Sequence, residues 1–205
     1  MSNGLSHFIL SSATYSSHPF KRINRLMKLY YYKAPEETIN FGDDLNPYIF
    51  EQLAPQLFNN NDDELFIGIG TLLNSNLPSA PQKTIFSSGL GYGDGSAITP
   101  DKTWNIIAVR GPLTAKALNI DLDYAVIDGA YLLTEAYSPP DNKIHKFSYM
   151  PHFHNHNQYY KHLCHLLGIH YIAPTQQVEI TLDDISRTHV MLCEAMHGAI
   201  VADAL

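Results

Sequence analysis

Short apolar segments, separated by polar turns and helical stretches, recur along the chain from residue 21 onward. These segments are rich in β-branched and aromatic residues, and they lack strict alternation of polar and apolar positions. That pattern is typical of strands that are covered on both faces of a parallel sheet. We predict eight such strands, at Leu29–Lys33, Leu65–Gly70, Thr84–Ser88, Ile106–Arg110, Ala125–Asp128, Phe147–Met150, His170–Ile172 and Val190–Cys193.

Three segments between these strands carry helical signals. Asp43–Leu57 has an apolar residue at every fourth position from Leu45 onward, which makes one apolar stripe. Pro112–Leu118 begins with a proline, which is well tolerated at the first position of a helix, and Tyr159–Leu167 is followed by a glycine. The alternation of strands and helices predicts an α/β fold with parallel strand order.

Composition narrows the class of protein further. The 205 residues are 45% hydrophobic and only 16% charged, which excludes a largely disordered chain. The formal net charge of −7 argues against nucleic acid as a partner and against a polybasic membrane-binding protein. Two cysteines, Cys164 and Cys193, do not make a disulfide framework and fit a reducing compartment. No export signal and no apolar run of membrane-spanning length is evident, so we expect a cytoplasmic protein without a membrane span.

Turn residues suggest how the chain is divided. Residues 1–20 are rich in serine and asparagine, and we interpret them as a flexible leader. The density of turn residues peaks at Ser138–Lys143, so we expect one domain at residues 21–140 and the start of a second at 141–205. The second domain would be truncated, and its uncovered apolar surface would favour a homo-oligomer.

Arg110 ends a predicted strand, and Gly111-Pro112 opens the helix that follows. A guanidinium at this place suits a carboxylate or a phosphate, while the alternative is a surface arginine in an ordinary turn. Two glycine-rich loops also follow strands, at residues 68–72 and 87–93. Neither matches a dinucleotide or ATP fingerprint, so we interpret them as loops whose backbone N–H groups line a pocket.

Two further segments carry groups that can exchange protons. His197 lies where a predicted strand runs into a Gly- and Ala-rich helix, so it is either a proton donor or a histidine that fills a turn. Asp43 and Asp44 lie at the start of the first predicted helix. Either carboxylate could accept a hydroxyl proton at the mouth of a cleft, and we expect at least one of them to cap the helix instead.

Three histidines alternate at His152, His154 and His156. On a strand they would face one way and could bind zinc or copper. Pro151 and Asn155 break the strand pattern, and no further ligand motif accompanies them. We therefore predict a polar loop at the tip of the preceding strand rather than a metal site.

Taken in order, these segments resemble the polysaccharide pyruvyl transferase family, and most closely its exopolysaccharide branch. No single motif is specific, but the ordered set is, and it extends from about residue 29 to the C-terminus. The segments that carry the resemblance are Asn40-Phe41-Gly42-Asp43, Ile67-Gly68-Ile69-Gly70, Ser87-Ser88-Gly89-Leu90-Gly91, Val109-Arg110-Gly111-Pro112, Asp128-Gly129-Ala130-Tyr131, Met150-Pro151-His152 and Met196-His197-Gly198-Ala199.

The resemblance implies a two-domain, Rossmann-like fold similar to that of the GT-B glycosyltransferases. It implies transfer of the enolpyruvyl unit of phosphoenolpyruvate onto two hydroxyls of a lipid-linked or polymer-precursor saccharide, with no cofactor and no metal. Arg110 would then hold the anionic groups of the donor, and His197 would be the general acid, while Asp43 or Asp44 would orient or deprotonate the sugar hydroxyl. The other expected site residues are Gly89, Gly111 and Gly198 on the donor side, and Asn40 and His152 on the acceptor side.

Two other interpretations stay open. A nucleotide-sugar glycosyltransferase of GT-B type would bind UDP or GDP tightly. A non-catalytic remnant or binding module would fold without being protected against unfolding by phosphoenolpyruvate.

Overall fold

The computed structural model describes residues 26–35, 38–91 and 98–205 of the chain. The predicted leader and the end of the second glycine-rich loop lie outside the described residues. The described part is a mixed α/β structure with two parallel sheets, which confirms the predicted class and strand direction. None of its helices is long and apolar enough to cross a membrane.

The chain divides into two compact units, and each unit is made of two separate stretches of the chain. The first unit takes Met1–Tyr32 and Ile49–Gly129, and the second takes Lys33–Tyr48 and Ala130–Leu205. Each unit contains one of the two sheets. The domain limits drawn from the sequence stay a prediction.

Four parallel strands form the sheet of the first unit, in the spatial order β1-β2-β3-β4. They span Lys28–Tyr30, Glu64–Ile67, Gln82–Ser88 and Trp104–Val109. A short helix, α2, follows β4 at Pro112–Ala117. The carboxyl ends of β2, β3 and β4 therefore lie along one edge of this sheet, where the two glycine-rich loops begin.

The predicted strand at Ala125–Asp128 is wrong, because only an isolated bridge joins Ala125 to Val109. Val126 and Ile127 are 65% and 47% exposed, so their side chains do not lie between layers. Their β-branched character suggested a strand, but the segment forms a surface loop. The hydroxyl of Ser87 donates to the Ile127 carbonyl oxygen at 2.8 Å and holds this loop against β3.

Helix α1 spans Phe41–Leu53, whereas the prediction was Asp43–Leu57. It begins earlier because the carbonyl oxygen of Asn40 already accepts hydrogen bonds from two backbone N–H groups of the first turn. It ends earlier because Pro55 disfavours helical geometry in the residue before it. A 3₁₀ turn at Pro55–Leu57 covers the remainder of the predicted helix.

Apolar side chains cover both faces of the first sheet. On one face Phe50 of α1 makes T-shaped contacts with Phe66 and Phe86, with ring centroids 4.9 and 5.8 Å apart. The other main cluster joins the strands to α2 and consists of Leu65, Ile67, Leu72, Leu73, Ala80, Ile85, Val109, Ala115 and Leu118. Burial on both faces explains why these strands lack alternating polar positions.

The second unit contains a three-stranded parallel sheet in the spatial order β6-β5-β7. These strands span His145–Met150 (β5), His170–Tyr171 (β6) and Thr188–Cys193 (β7). The helices are α3 at Leu133–Ala136, α4 at Gln158–Leu167, α5 at Val178–Ser186 and α6 at Met196–Ala204. Sequence analysis missed α5, although its buried residues Val178, Leu182 and Ile185 recur with helical spacing.

Candidate functional site

The second unit brings together two motifs that lie about 150 residues apart in the chain. The first turn of α1 packs against His197, the second residue of α6. A Cβ atom added to Gly42 would overlap Nδ1 of His197 and lie 3.0 Å from its Cγ. Only glycine therefore allows the backbone of α1 to approach the imidazole this closely.

A second glycine, Gly198, lets α6 approach the end of the sheet. A Cβ atom there would lie 2.9 Å from the sulfur of Met150 and 3.2 Å from that of Cys193. These two residues end β5 and β7, so Gly198 places the start of α6 at the carboxyl edge of the sheet. This is the edge where α/β proteins bind their ligands.

Asp43 is held in the first turn of α1 by two asparagines. The side-chain amide of Asn40 donates to Oδ2 of Asp43 at 2.7 Å. Pro47 has no N–H to donate to the Asp43 carbonyl oxygen four residues earlier. The buried amide of Asn46 donates to that oxygen instead, at 2.9 Å, so the helix tolerates its internal proline.

Asp44 has the geometry of a capping carboxylate. Its Oδ2 accepts a hydrogen bond from the backbone N–H of Asn40 at 3.0 Å. A side chain that reaches back to the residue before the helix satisfies one of the free N–H groups at a helix start. Of the two neighbouring carboxylates, this geometry leaves Asp43 as the one that pairs electrostatically with His197.

The environment of Asp43 makes its carboxyl group easier to protonate than an ordinary aspartate. Burial raises the pKa of Asp43 from 3.8 to about 6, and the neighbouring charge of Asp44 acts in the same direction. The charge of His197 and the hydrogen bond from Asn40 oppose this rise. A carboxyl group whose pKa lies this close to neutrality can both accept and return a proton.

The first unit holds Arg110 at the carboxyl edge of its own sheet. Nη1 of Arg110 donates to Oγ1 of Thr71 at 3.0 Å, and its backbone N–H donates to the Ser88 carbonyl oxygen at 3.0 Å. The guanidinium lies over Gly89, where any added Cβ atom would overlap it. Gly111 follows in extended conformation, and nothing lies within 4 Å of a Cβ atom built on it.

Ser87 belongs to one of the segments that carry the resemblance, and its conformation at this edge was not predicted. It is a buried residue at the end of β3 with a φ of 72°, in the left-handed region. Such a conformation costs on the order of 1–3 kcal/mol for a residue other than glycine. The hydrogen bond from its hydroxyl to Ile127 contributes to holding it.

As predicted, the segment from His152 to His156 is a loop that follows β5. It contains a 3₁₀ turn at Phe153–Asn155. Sequence analysis missed the residue that anchors it, Glu194. The Glu194 carboxylate accepts hydrogen bonds from the His152 backbone N–H (2.8 Å), the Asn155 side-chain amide (2.8 Å) and the Tyr149 hydroxyl (2.7 Å). These hydrogen bonds, led by the one from His152, lower the pKa of Glu194 and keep it ionised.

The predicted site residues thus fall into two groups. The second unit joins Asp43 and His197, and the first unit joins Arg110 and Gly89. The remaining predicted residues belong to the same two units: Asn40, Asp44, His152 and Gly198 to the second, and Gly111 to the first.

Comparison with known proteins agrees with this set of motifs. No protein-family model and no solved structure matches the chain. It is similar to the succinoglycan biosynthesis protein ExoV of Rhizobium meliloti (strain 1021), with 34% identity over 184 residues. The matched part is 87% of this chain and 57% of that protein, so the chain spans little more than half the length of this relative. This similarity to a succinoglycan biosynthesis protein supports the likeness to exopolysaccharide proteins that the ordered motifs indicated.

Proposed function

We propose that this chain transfers the enolpyruvyl group of phosphoenolpyruvate to a saccharide and forms a pyruvate ketal in exopolysaccharide biosynthesis. The observation that carries the proposal is the close approach of α1 at Gly42 to the His197 ring, which brings the neighbouring carboxyl group of Asp43 within electrostatic reach of the imidazole. The role of its relative in succinoglycan biosynthesis supports a saccharide as the acceptor. The two parallel sheets are compatible with a GT-B-like fold, which we include in the proposal.

The reaction begins with protonation of the enol. The imidazolium of His197 gives a proton to C3 of phosphoenolpyruvate, which becomes a methyl group, and positive charge develops at C2. A sugar hydroxyl attacks C2 and passes its proton to the carboxylate of Asp43. A general acid and a general base held side by side lower the barrier to both transfers.

Loss of phosphate completes the exchange. The bond between C2 and the bridging oxygen breaks, and phosphate leaves with both bonding electrons. A second hydroxyl of the same sugar attacks C2, and its proton neutralises the departing phosphate. Asp43 returns its proton to His197, so one phosphoenolpyruvate and two hydroxyls give one ketal and one hydrogen phosphate.

Asp43 is the better candidate for the base, because Asp44 is engaged by the Asn40 backbone. Asn40 orients the base through its side-chain amide. The anchored loop that begins at His152 offers polar groups to a sugar, and we assign it to the acceptor. We keep four residues as predicted donor-binding residues, and each can be tested by replacing it: Arg110, Gly89, Gly111 and Gly198.

The test is phosphate release from phosphoenolpyruvate in the presence of a succinoglycan-derived oligosaccharide that has been treated with mild acid to hydrolyse any ketals. The variant His197→Ala should lose roughly 100-fold or more of the rate, because a general acid typically contributes ~10²–10⁴-fold. His162→Ala, which changes an exposed histidine on α4, is the matched control. Undiminished release by His197→Ala, or turnover of a UDP- or GDP-sugar without phosphoenolpyruvate, would contradict the proposal.

A further inference from the structure

Three metal-ligating side chains meet in the second unit, apart from the residues assigned to pyruvyl transfer. His145 and His170 are the first residues of β5 and β6, and Asp184 lies on α5. One ligand atom of each lies within 4.8 Å of the other two. We propose that these three residues bind a divalent transition-metal ion, with Zn²⁺ as the best match to the donor set.

The carboxylate of Asp184 is already oriented toward an imidazole. Its Oδ1 lies 2.9 Å from Nε2 of His170, while its Oδ2 accepts a hydrogen bond from the side-chain amide of Gln176 at 2.8 Å. The side chains of His170 and Asp184 are 30% and 21% exposed, so they are shielded from solvent but within its reach. A partner that fixes a ligating carboxylate from behind is typical of metal sites and adds to their affinity.

The two imidazoles stack, with ring centroids 3.8 Å apart and planes within 4° of parallel. Zn²⁺ needs its ligand atoms ~2.1 Å away and therefore ~3.4 Å from one another in a tetrahedral site. The most distant ligand atoms, which lie within 4.8 Å of one another, must approach by at most about 1.4 Å. Nε2 of His170 and Oδ1 of Asp184, now 2.9 Å apart, must separate slightly, and one ring must turn out of the stack. His145 begins its strand and is only half-buried, so rotation about its Cβ–Cγ bond provides this adjustment.

Charge and donor type favour a transition metal over Mg²⁺ or Ca²⁺. Two imidazoles and one carboxylate are borderline ligands, whereas the hard cations prefer oxygen atoms alone. The nearby cation Arg187 is bound by Asp183 at 2.8 Å and by Asn142 at 2.7 Å, which fixes its guanidinium on other partners. Asp184 therefore supplies a negative charge that offsets half of the charge of the ion.

Calorimetric titration with Zn²⁺ alone tests the site, with Co²⁺ absorption to report the ligand geometry. We expect one equivalent to bind to the full chain and to raise its melting temperature. His145→Phe keeps an aromatic ring in the stack and Asp184→Asn keeps the shape of the carboxylate, yet each should weaken Zn²⁺ binding at least ~10-fold. Retention of the wild-type melting temperature without metal shows that either variant is folded.

The double variant His154→Ala with His156→Ala is the control for the other histidine cluster. It should bind Zn²⁺ as the wild type does. Binding lost in this control but kept in Asp184→Asn would overturn the proposal, and so would the absence of any stoichiometric Zn²⁺ binding by the wild type.

Discussion

Replacing Asp43 by asparagine should stabilise the protein above neutral pH. Asparagine keeps the acceptor for the Asn40 amide but removes a carboxyl group that is costly to ionise where it lies. Burial raises the pKa of Asp43 from 3.8 to about 6. At ~1.4 kcal/mol per pH unit, keeping this group ionised in the folded state costs at most about 3 kcal/mol. Partial exposure reduces the cost, so we expect a gain of about 1–3 kcal/mol.

The sign of the effect follows from proton binding. Between pH 3.8 and about 6 the folded protein holds a proton on Asp43 that the unfolded chain has lost. The free energy of unfolding of the wild type therefore falls as the pH rises through this window, and the loss persists at higher pH. The asparagine variant lacks this contribution, so the difference between the two proteins should be largest above pH 7 and small below pH 4.

Urea denaturation of both proteins at pH 4 and pH 8 measures the difference directly. Glu135→Gln, which alters an exposed carboxylate of the same unit, is the control and should follow the wild type at both pH values. If Asp43→Asn is no more stable than the wild type at pH 8, ionisation of Asp43 does not destabilise the folded protein. A gain of equal size at both pH values would also contradict the prediction, because the gain would then not come from ionisation. Stabilisation accompanied by loss of transfer activity would mark Asp43 as a functional residue that costs stability.

Three further predictions test the placement of other groups. Gly42→Ala should reduce transfer about 10–100-fold, because its Cβ displaces the His197 ring, and an unchanged rate would contradict the packing. Glu194→Ala should raise the KM for the oligosaccharide and spare kcat, since it releases the loop at His152; an unchanged KM would remove that loop from the acceptor site. Arg110→Ala should weaken binding of phosphoenolpyruvate roughly 10–100-fold in a calorimetric titration, as expected for loss of a charge-assisted contact, and equal affinity would exclude this role.

The sequence predicted the strands of both sheets well, because strands buried on both faces leave continuous apolar runs. The same signal failed at Val126 and Ile127, where β-branched residues lie exposed in a loop. The predicted limits of α1 were wrong at both ends. The helix begins earlier because the Asn40 carbonyl accepts the first helical hydrogen bonds, and it ends earlier because of Pro55. The apolar composition of a segment does not reveal whether other secondary-structure elements pack over it. Whether they do depends on the rest of the fold.

The sequence indicated which residues belong to the candidate site but not how they are arranged. Motif order pointed to Asp43 and His197, yet the approach of Gly42 to the imidazole depends on how α1 packs in the second unit. No local sequence pattern predicts that Glu194 anchors the loop at His152, because a single carboxylate after a strand is usually exposed to solvent. The hydrogen bond from the Asn46 side chain to the Asp43 carbonyl oxygen could have been predicted. A proline inside a helix leaves the carbonyl four residues earlier without its backbone donor, and a neighbouring side chain can replace that donor.

Proton NMR of the oligosaccharide product, made in D₂O, reports whether His197 protonates C3 of phosphoenolpyruvate as the ketal forms. We expect a ketal methyl group that carries one deuterium, formed in step with phosphate release and lost in His197→Ala. A wild-type reaction that releases phosphate without a ketal methyl signal, or a ketal formed equally well by His197→Ala, would contradict this mechanism.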